Sequence, residues 1–137
     1  MICGAAALAV LVAAAGRLAG QGKDGGTSSG AVSFKTDVYP IIQKYCLPCH
    51  GADSFNPSEL SLEGYDDIMA GGKHGSPIVP GKSKESLIMQ KLGLNPPFGD
   101  PMPLDPKRKK DEPPKKRLTD DELKMIATWI DQGAKNN

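Results

Sequence analysis

The sequence predicts an all-α fold of about four short helices arranged around one compact motif. Apolar residues recur at helical spacing in a segment before the motif and in a segment close to the C-terminus. Loops rich in glycine and proline separate the helical segments, and the one extended piece is the short run 60–62. The motif, Cys46-Leu47-Pro48-Cys49-His50, lies where the first helix ends. Together these observations favour a small helical domain built around a group that the motif holds.

The motif has the pattern C-x-x-C-H, to which a c-type haem is attached. Each thiol of Cys46 and Cys49 can form a thioether bond with one vinyl group of the porphyrin. The imidazole of His50 then lies under the iron as one axial ligand. The motif therefore predicts one covalently attached haem c, bound through Cys46, Cys49 and His50.

Two other interpretations of the cysteine pair stay open. A C-x-x-C pair can be a thiol–disulfide redox centre, but such a pair usually follows a strand, and the residues before Cys46 have a helical pattern. The pair can also be half of a zinc site, which needs four ligands in all. The remaining cysteine and histidine, Cys3 and His74, are poor candidates for the other two ligands, because Cys3 lies in a predicted signal segment.

The size and composition indicate one small domain. The chain has 137 residues, with 17 basic and 16 acidic side chains and a net charge of +1. This balance gives no support for nucleic acid or a membrane surface as the partner of the whole chain. Aromatic residues make up only 5%, a thin supply for an ordinary core, and a haem would add a large apolar surface.

Residues 1–20 are predicted to be a signal peptide, or an N-terminal anchor if they are not cleaved. The small apolar run 5–15 has the length of a signal-peptide hydrophobic region and is too short to span a bilayer comfortably before Arg17. No lysine or arginine precedes the run, which departs from the usual pattern, and a buried alanine-rich helix is the alternative. Export to the periplasm agrees with the motif, because c-type haem is attached outside the bacterial cytoplasm.

Residues 21–32 are predicted to be a flexible linker, since they are rich in glycine and serine and lack apolar periodicity. The folded domain is then predicted to span residues 33–137, a length that can form a core alone but benefits from a cofactor. Once the signal peptide is removed, Cys46 and Cys49 are the only cysteines left.

The first predicted helix leads directly into the motif. Its apolar face is formed by residues spaced four, three and four apart: Phe34, Val38, Ile41 and Tyr45. Ser33 or Asp37 is the predicted N-cap. Pro40 is tolerated if the regular helix starts near Asp37, because the first turn has unpaired donors anyway.

The middle of the chain is predicted to alternate loops with two short helices. Residues 51–63 form a loop, and a helix over 65–70 is stopped by Gly71-Gly72. After a second loop, Ser83 is the predicted N-cap of a helix that Gly93 closes. The apolar residues of that helix are Leu87, Ile88 and Leu92.

The segment 94–104 contains four prolines and one glycine and is predicted to be a stiff loop. Met102 lies on it between two prolines, downstream of the motif, where a second axial ligand of the haem iron is expected. Simple packing of the thioether in a gap is one alternative. His74, on a glycine-flanked loop, is the rival ligand, so the sequence leaves the choice between Met102 and His74 open.

The last helix has the clearest boundaries. Thr119 to Glu122 form a capping box, and the apolar face is made by Leu123, Ile126, Ala127 and Ile130. Gly133 is predicted to end the helix. Trp129, the single tryptophan, is predicted either to pack near the haem edge or to be a half-exposed anchor.

The order of these pieces resembles a single-haem cytochrome c domain of the class I fold, in particular the Planctomycete-type cytochrome c family. The resemblance covers nearly all of residues 33–134 and rests on a series of short motifs: Pro40-Ile41-Ile42, Cys46 to Gly51, Leu60-Ser61-Leu62, Gly71-Gly72, Ile78 to Gly81, Ser86-Leu87, Met102-Pro103, and Leu118-Thr119 through Trp129-Ile130 to Gly133-Ala134. It implies covalent haem c, His50 and Met102 as the axial ligands of iron, and packing of the first helix across the last.

One segment departs from that family pattern. The run from Lys107 to Arg117 carries seven basic and two acidic residues, and it is longer and more basic than expected. It is either a solvated insertion or a docking patch for an acidic redox partner protein, with the haem edge as the other docking position.

The sequence therefore predicts a periplasmic electron-transfer protein, a one-electron carrier and not an enzyme. Its partners would be redox proteins, with no nucleic acid and no membrane span after signal cleavage. The alternatives are a haem-based gas sensor or peroxidase, if Met102 leaves the distal site open, and a zinc or thiol-redox module, if haem is absent.

Overall fold

The computed structural model describes Met1 and residues 30–107, 109, 112 and 116–137. The predicted signal peptide beyond Met1, residues 21–29 of the predicted linker and half of the basic run lie outside the described residues. In the part that is described, no helix is both long and apolar enough to cross a membrane.

The described part of the chain contains five α-helices. They are α1 (Tyr39–Tyr45), α2 (Leu47–His50), α3 (Tyr65–Ala70), α4 (Leu87–Leu92) and α5 (Asp120–Asp131). A π-helical segment, Phe34–Val38, leads into α1, and a 3-10 turn, Ser83–Glu85, precedes α4. Among these residues there is no strand, only an isolated bridge between Gly72 and Gly75. The predicted all-α fold is thus confirmed.

The first helical stretch is capped as predicted but is wider at its start. The Ser33 hydroxyl accepts from the Thr36 N–H, and the Ser33 N–H donates to Asp37. A regular α-helix from Phe34 onward would push the ring of Pro40 against the carbonyl of Thr36 four residues earlier. The π-helical segment puts Pro40 in the first turn of α1 instead, where its missing N–H costs little.

The wider turn also changes the apolar face of this stretch. The predicted face included Ile41, but Ile42 is the residue that is 1% exposed, and Ile41 is only half-buried. Phe34 and Val38 are buried as predicted. An expanded turn shifts the residues after it around the helix, and this moves the buried position by one residue.

An aromatic cluster joins the first helical stretch to α5. The ring of Phe34 lies 5.3 Å from that of Trp129, 5.4 Å from that of Tyr65 and 5.5 Å from that of Tyr39, between centroids. Trp129 is only 1% exposed, and its indole N–H donates to the carbonyl of Lys135. The prediction of a half-exposed anchor is therefore wrong: the first helical stretch covers this face of α5.

Hydrogen bonds to residues near the C-terminus complete the same junction. The N–H groups of Phe34 and Lys35 donate to Asn137, at 2.9 and 3.0 Å, and so two of the first donors of the π-helical segment are paired. Val32 is buried, and its N–H donates to the Gln132 side chain at 2.7 Å. The predicted linker thus ends in a residue that packs on the domain, and the first helix packs on the last, as the family resemblance implies.

The capping box of α5 is confirmed. The Thr119 hydroxyl accepts from the Glu122 N–H at 3.2 Å, and the Glu122 carboxylate accepts from the Thr119 N–H at 2.8 Å. Ile126 and Ile130 are buried, as their spacing predicts. The helix ends just before Gly133, whose positive φ of 99° suits glycine.

The start of α4 differs from the prediction. Ser86, not Ser83, occupies the N-cap position, and its hydroxyl is used elsewhere, in bonds to Val79 and Lys82. Ser83 lies in the 3-10 turn, and its N–H and hydroxyl both donate to the Asp131 carboxylate, at 2.8 and 2.9 Å. The predicted cap is therefore wrong, because a distant acceptor at the end of α5 binds Ser83.

Helix α1 is also tied to α5 through Glu122. Lys44 Nζ lies 3.0 Å from one carboxylate oxygen, and the Tyr45 hydroxyl donates to the other at 2.9 Å. Burial raises the pKa of Glu122, but the hydrogen bonds from Thr119, Lys44 and Tyr45 outweigh it and lower the pKa from 4.5 to about 2. The ionised carboxylate is the form that holds the two helices together.

We expect Glu122 to give the fold an acid-sensitive component of stability. Because its pKa is lower when folded than when unfolded, its contribution is full above pH 4.5 and is lost as the pH falls towards about 2. Glu122→Gln preserves the capping box but not the charge. The variant should be less stable than wild type at neutral pH, and the difference should shrink across that range in urea unfolding experiments.

Glu85→Gln is the control, since Glu85 pairs with Lys82 on the exposed surface and such pairs contribute little. An equal loss of stability in both variants, or a Glu122→Gln difference that does not change with pH, would contradict this prediction.

Candidate functional site

A cavity of about 310 Å³ lies beside the motif. The motif supplies one wall, residues 58–62 a second, α4 a third, and the proline-rich loop 94–104 a fourth. Most of the lining side chains are apolar, among them Leu60, Leu62, Leu87, Ile88, Leu92, Phe98, Pro103 and Leu104. The cavity therefore suits a large apolar group rather than a hydrated ion or a polar metabolite.

Helix α2 brings the three motif side chains to this cavity. It is a single turn in which the N–H groups of Cys49 and His50 both donate to the carbonyl of Cys46, at 3.1 and 2.9 Å. Residues three apart on a helix lie on the same face, so the two thiols lie on one side of the turn. Both cysteines are free thiols and line the cavity, as does His50.

His50 is oriented by the segment that follows the motif. Its Nδ1 lies 3.0 Å from the carbonyl oxygen of Leu60, and its own carbonyl accepts from the Leu62 N–H at 2.9 Å. A proton on Nδ1 leaves Nε2 with a free lone pair, which is the tautomer that binds a metal. A carbonyl partner on the second ring nitrogen is typical of a histidine that ligates a metal.

Gly72 lets the chain approach this segment closely. A Cβ atom at Gly72 would collide with the carbonyl of Ser58 and would lie 2.8 Å from the Leu60 nitrogen. The next residue, Lys73, donates its N–H to the carbonyl of Ser58 at 2.9 Å. The sequence predicted Gly71-Gly72 only as the end of α3, which is confirmed, but the second role of Gly72 is to support the peptide that positions His50.

Met102 lines the same cavity, and its loop is anchored to α4. Its N–H donates to the carbonyl of Lys91 at 2.7 Å. The ammonium group of Lys91 donates to the carbonyls of Phe98 and Asp100. Burial lowers the pKa of Lys91, and Asp100 raises it. Sequence reasoning missed Lys91, although a lysine in the last turn of a helix that precedes a proline-rich loop is a signal for such a role.

The rival ligand, His74, also lines the cavity, but at its rim. Its ring packs on that of Phe98, with 4.3 Å between the centroids, and both side chains are exposed. Met102 is half-buried and held by a short backbone hydrogen bond. The structure therefore brings both candidates to one cavity, and burial together with anchoring favours Met102.

The aromatic cluster lies away from this cavity. Trp129 does not line it, so the structure does not bring Trp129 to the cavity at which the haem is expected. Tyr45 and Phe98 are the aromatic residues that line the cavity. Trp129 is buried on α5 next to Ile130, and the first helical stretch, not the cavity, covers it.

The environment of Cys46 argues against a thiol-redox centre. Burial, with a smaller contribution from the nearby Cys49, raises the pKa of Cys46 from 9.0 to about 11, and Lys116 lowers it slightly. Redox cysteines have lowered pKa values because the thiolate is the reactive form. As for zinc, the described residues contain no group of three or more cysteine, histidine or acidic side chains arranged to hold a metal ion.

Comparison with known proteins supports the family predicted from the sequence. Residues 46–95, a little over a third of the chain, match the family model PSCyt1, Planctomycete cytochrome C. The matched segment runs from the motif through α3 and α4. The resemblance to this cytochrome c family is thus confirmed over the segment that forms most of the cavity, and the resemblance implies covalently bound haem c.

Among solved structures, the chain is similar to one described as Kuenenia stuttgartiensis Hydrazine Synthase. The sequence identity is 26% and the TM-score is 0.47, over 75% of this chain and 16% of the other. The present chain thus spans about a sixth of the length of that protein. No curated protein matches the chain significantly.

We expect Cys46 to react slowly with alkylating agents in the haem-free, folded chain. With a pKa of about 11, roughly one Cys46 in a thousand is a thiolate at pH 8. Peptide mass spectrometry after treatment with iodoacetamide should show modification of the exposed Cys49 well before Cys46. In urea the two rates should become similar, and equal rates without urea would contradict the prediction.

Proposed function

We propose that this chain is a class I, monohaem c-type cytochrome that carries single electrons. The observation that carries the proposal is the cavity: two thiols and an imidazole from one helical turn meet an apolar pocket that Met102 also lines. The match of residues 46–95 to a cytochrome c family supports the same conclusion. The donor set of two thiols, one imidazole and one thioether is that of a His/Met c-type haem site.

In this proposal Cys46 and Cys49 would attach the cofactor covalently, and His50 and Met102 would bind its iron. The hydrogen bond between His50 Nδ1 and the Leu60 carbonyl fixes the ring orientation and increases the basicity of Nε2. When bound, the haem supplies the one-electron chemistry, since its iron alternates between the ferrous and ferric states.

The cavity walls would affect the reduction potential of the bound haem. Apolar side chains of α4 and of the segment 58–62 exclude water, which disfavours the more highly charged oxidised state. A thioether ligand also favours ferrous over ferric iron. If His50 and Met102 both bind the iron, no position on it would remain for a substrate, and we therefore propose a carrier rather than an enzyme.

The proposed carrier is exported and exchanges electrons with other proteins. Covalent attachment of haem to the motif requires maturation outside the cytoplasm, so residues 1–20 would act as a signal peptide. Redox partners would dock near the cavity mouth or on the basic run.

The two ends of the basic run differ in their contacts. Lys107 and Lys109 are exposed, and Lys109 pairs with Glu112 at 3.6 Å. Arg117 binds the Leu92 carbonyl at 3.2 Å, and Lys116 lines the cavity and donates to the Lys44 carbonyl at 3.3 Å. The N-terminal part of the run is therefore the better candidate for an acidic partner, and its C-terminal end supports the fold.

Covalent attachment is the first test of this function. Protein expressed with the haem maturation machinery should keep its haem after acid–acetone extraction, with a mass that corresponds to one haem per chain. Cys46→Ala with Cys49→Ala should release all of it, because no other cysteine lies in the folded domain. Complete extraction of haem from the wild type would contradict covalent binding.

The second test concerns the distal ligand. Met102→Ala should lower the reduction potential and allow carbon monoxide to bind the ferrous protein, since the thioether favours ferrous iron and fills the sixth position. Met102→His should restore six-coordination at a lower potential. Oxidised wild type should show the weak near-infrared band of sulfur-ligated ferric haem.

His74→Ala is the matched control, because His74 lines the same cavity without being anchored in it. It should change neither the band nor the carbon monoxide response. Loss of six-coordination in His74→Ala but not in Met102→Ala would transfer the ligand role to His74. Binding of carbon monoxide by the reduced wild type would favour a gas sensor or a peroxidase instead.

A further inference from the structure

The loop that carries Met102 is short of backbone donors. Residues 94–104 contain four prolines, none of which has a backbone N–H, so the loop cannot form a regular series of internal hydrogen bonds. Its carbonyl groups need donors from outside the loop. Two of them, those of Phe98 and Asp100, accept from the ammonium group of Lys91, at 2.8 and 2.6 Å.

The C-terminal end of helix α4 has the same shortage of hydrogen-bond donors. The last carbonyl groups of a helix have no partner within the helix. The Lys91 carbonyl accepts from the N–H of Met102 at 2.7 Å, and the Leu92 carbonyl accepts from Arg117. The backbone of Lys91 thus binds Met102 itself, and its side chain binds two residues that precede Met102.

A third contact holds the Lys91 ammonium group at the loop. Its Nζ lies 4.9 Å from the centroid of the Phe98 ring, within the range of a cation–π interaction. Lys91 is half-buried and lines the cavity, whereas Phe98 is exposed at the rim. The strongest of these contacts are hydrogen bonds from a charged donor, which exceed neutral ones in strength.

We propose that Lys91 is the positioning residue for the distal ligand: its ammonium and carbonyl groups hold the loop so that the Met102 thioether stays in the cavity. This inference rests on the proposed ligation of iron by Met102. Lys91 acts through the loop and not on the iron. Without its ammonium group, the loop should leave the cavity for a larger fraction of the time.

The binding of imidazole reports the fraction of time that the loop is out of the cavity, because imidazole competes with Met102 for the ferric iron. Its apparent dissociation constant is inversely proportional to the population in which the loop is open. Lys91→Met removes the charge but keeps the carbonyl and the helix propensity. We expect the apparent dissociation constant to fall about tenfold or more, as for the loss of a hydrogen bond to a charged group, and the near-infrared band to weaken.

Lys124→Met is the matched control, since Lys124 is an exposed lysine inside α5, and it should leave both measurements unchanged. A second comparison isolates the mechanism. In a Met102→Ala background, Lys91→Met should not change the affinity for imidazole any further, because no thioether remains to be positioned. A further change in that background, or an unchanged affinity in Lys91→Met alone, would overturn the proposal.

Failure of the ligation and failure of the Lys91 role give different results. A wild type that binds imidazole as tightly as Met102→Ala would overturn the ligation by Met102. Hydrogen exchange of the Met102 N–H tests the hold on the loop separately, and it should be about tenfold faster in Lys91→Met. Equal exchange rates would overturn the role of Lys91 alone. If Lys91→Met does not accumulate, Lys91→Gln, which also lacks the charge, allows the same comparisons.

Discussion

The contact between His50 and the segment 60–62 is the one on which the rest of the site depends. A single helical turn places two thiols and an imidazole on one wall, but the turn alone leaves the imidazole free to rotate. The Leu60 carbonyl removes that freedom through Nδ1, and the Leu62 N–H binds the carbonyl of the same residue. Gly72 has no side chain, so its backbone can pack directly against this segment. Three separate pieces of chain are therefore needed to orient one ring.

The apolar side chains of the domain are concentrated in two places, the aromatic cluster and the cavity. Four of the seven aromatic side chains, those of Phe34, Tyr39, Tyr65 and Trp129, gather where the first helical stretch meets α5, and they form an ordinary packed core around Trp129. The cavity is lined mainly by aliphatic side chains of α4 and of the segment 58–62. The stretch from Phe34 to Cys46 links the two, because its start packs in the aromatic core and its end carries a motif thiol. A rigid core can thus position the motif without itself forming the site.

Local signals in the sequence predicted most of the helices and the motif. The capping box at Thr119, the glycine after α3 and the periodicity of α5 depend on neighbours within one turn, and all are confirmed. The errors at Ser83 and Trp129 concern partners distant in sequence. Ser83 has the chemistry of a cap, but Asp131, 48 residues away, binds it. Trp129 lies on an apolar face, and periodicity cannot tell whether the cavity or the first helical stretch covers that face. The site residues follow the same division, since the motif was evident whereas Gly72 and Lys91 act through contacts that only the fold creates.

The proline-rich loop shows why a stiff segment still needs an anchor. Four prolines restrict the backbone dihedrals of residues 94–104, and this lowers the entropy that is lost when the loop is ordered. The same prolines remove donors, so the loop has carbonyl groups that it cannot pair by itself. Stiffness fixes the shape of the loop but not its place relative to the cavity. Helix α4 fixes the position of the loop. A carbonyl group at the end of α4 accepts from the loop, and the Lys91 side chain is long enough to reach back and donate to two of the loop's carbonyl groups. A short helix that ends just before such a loop is therefore the place to look for the residue that positions its ligand.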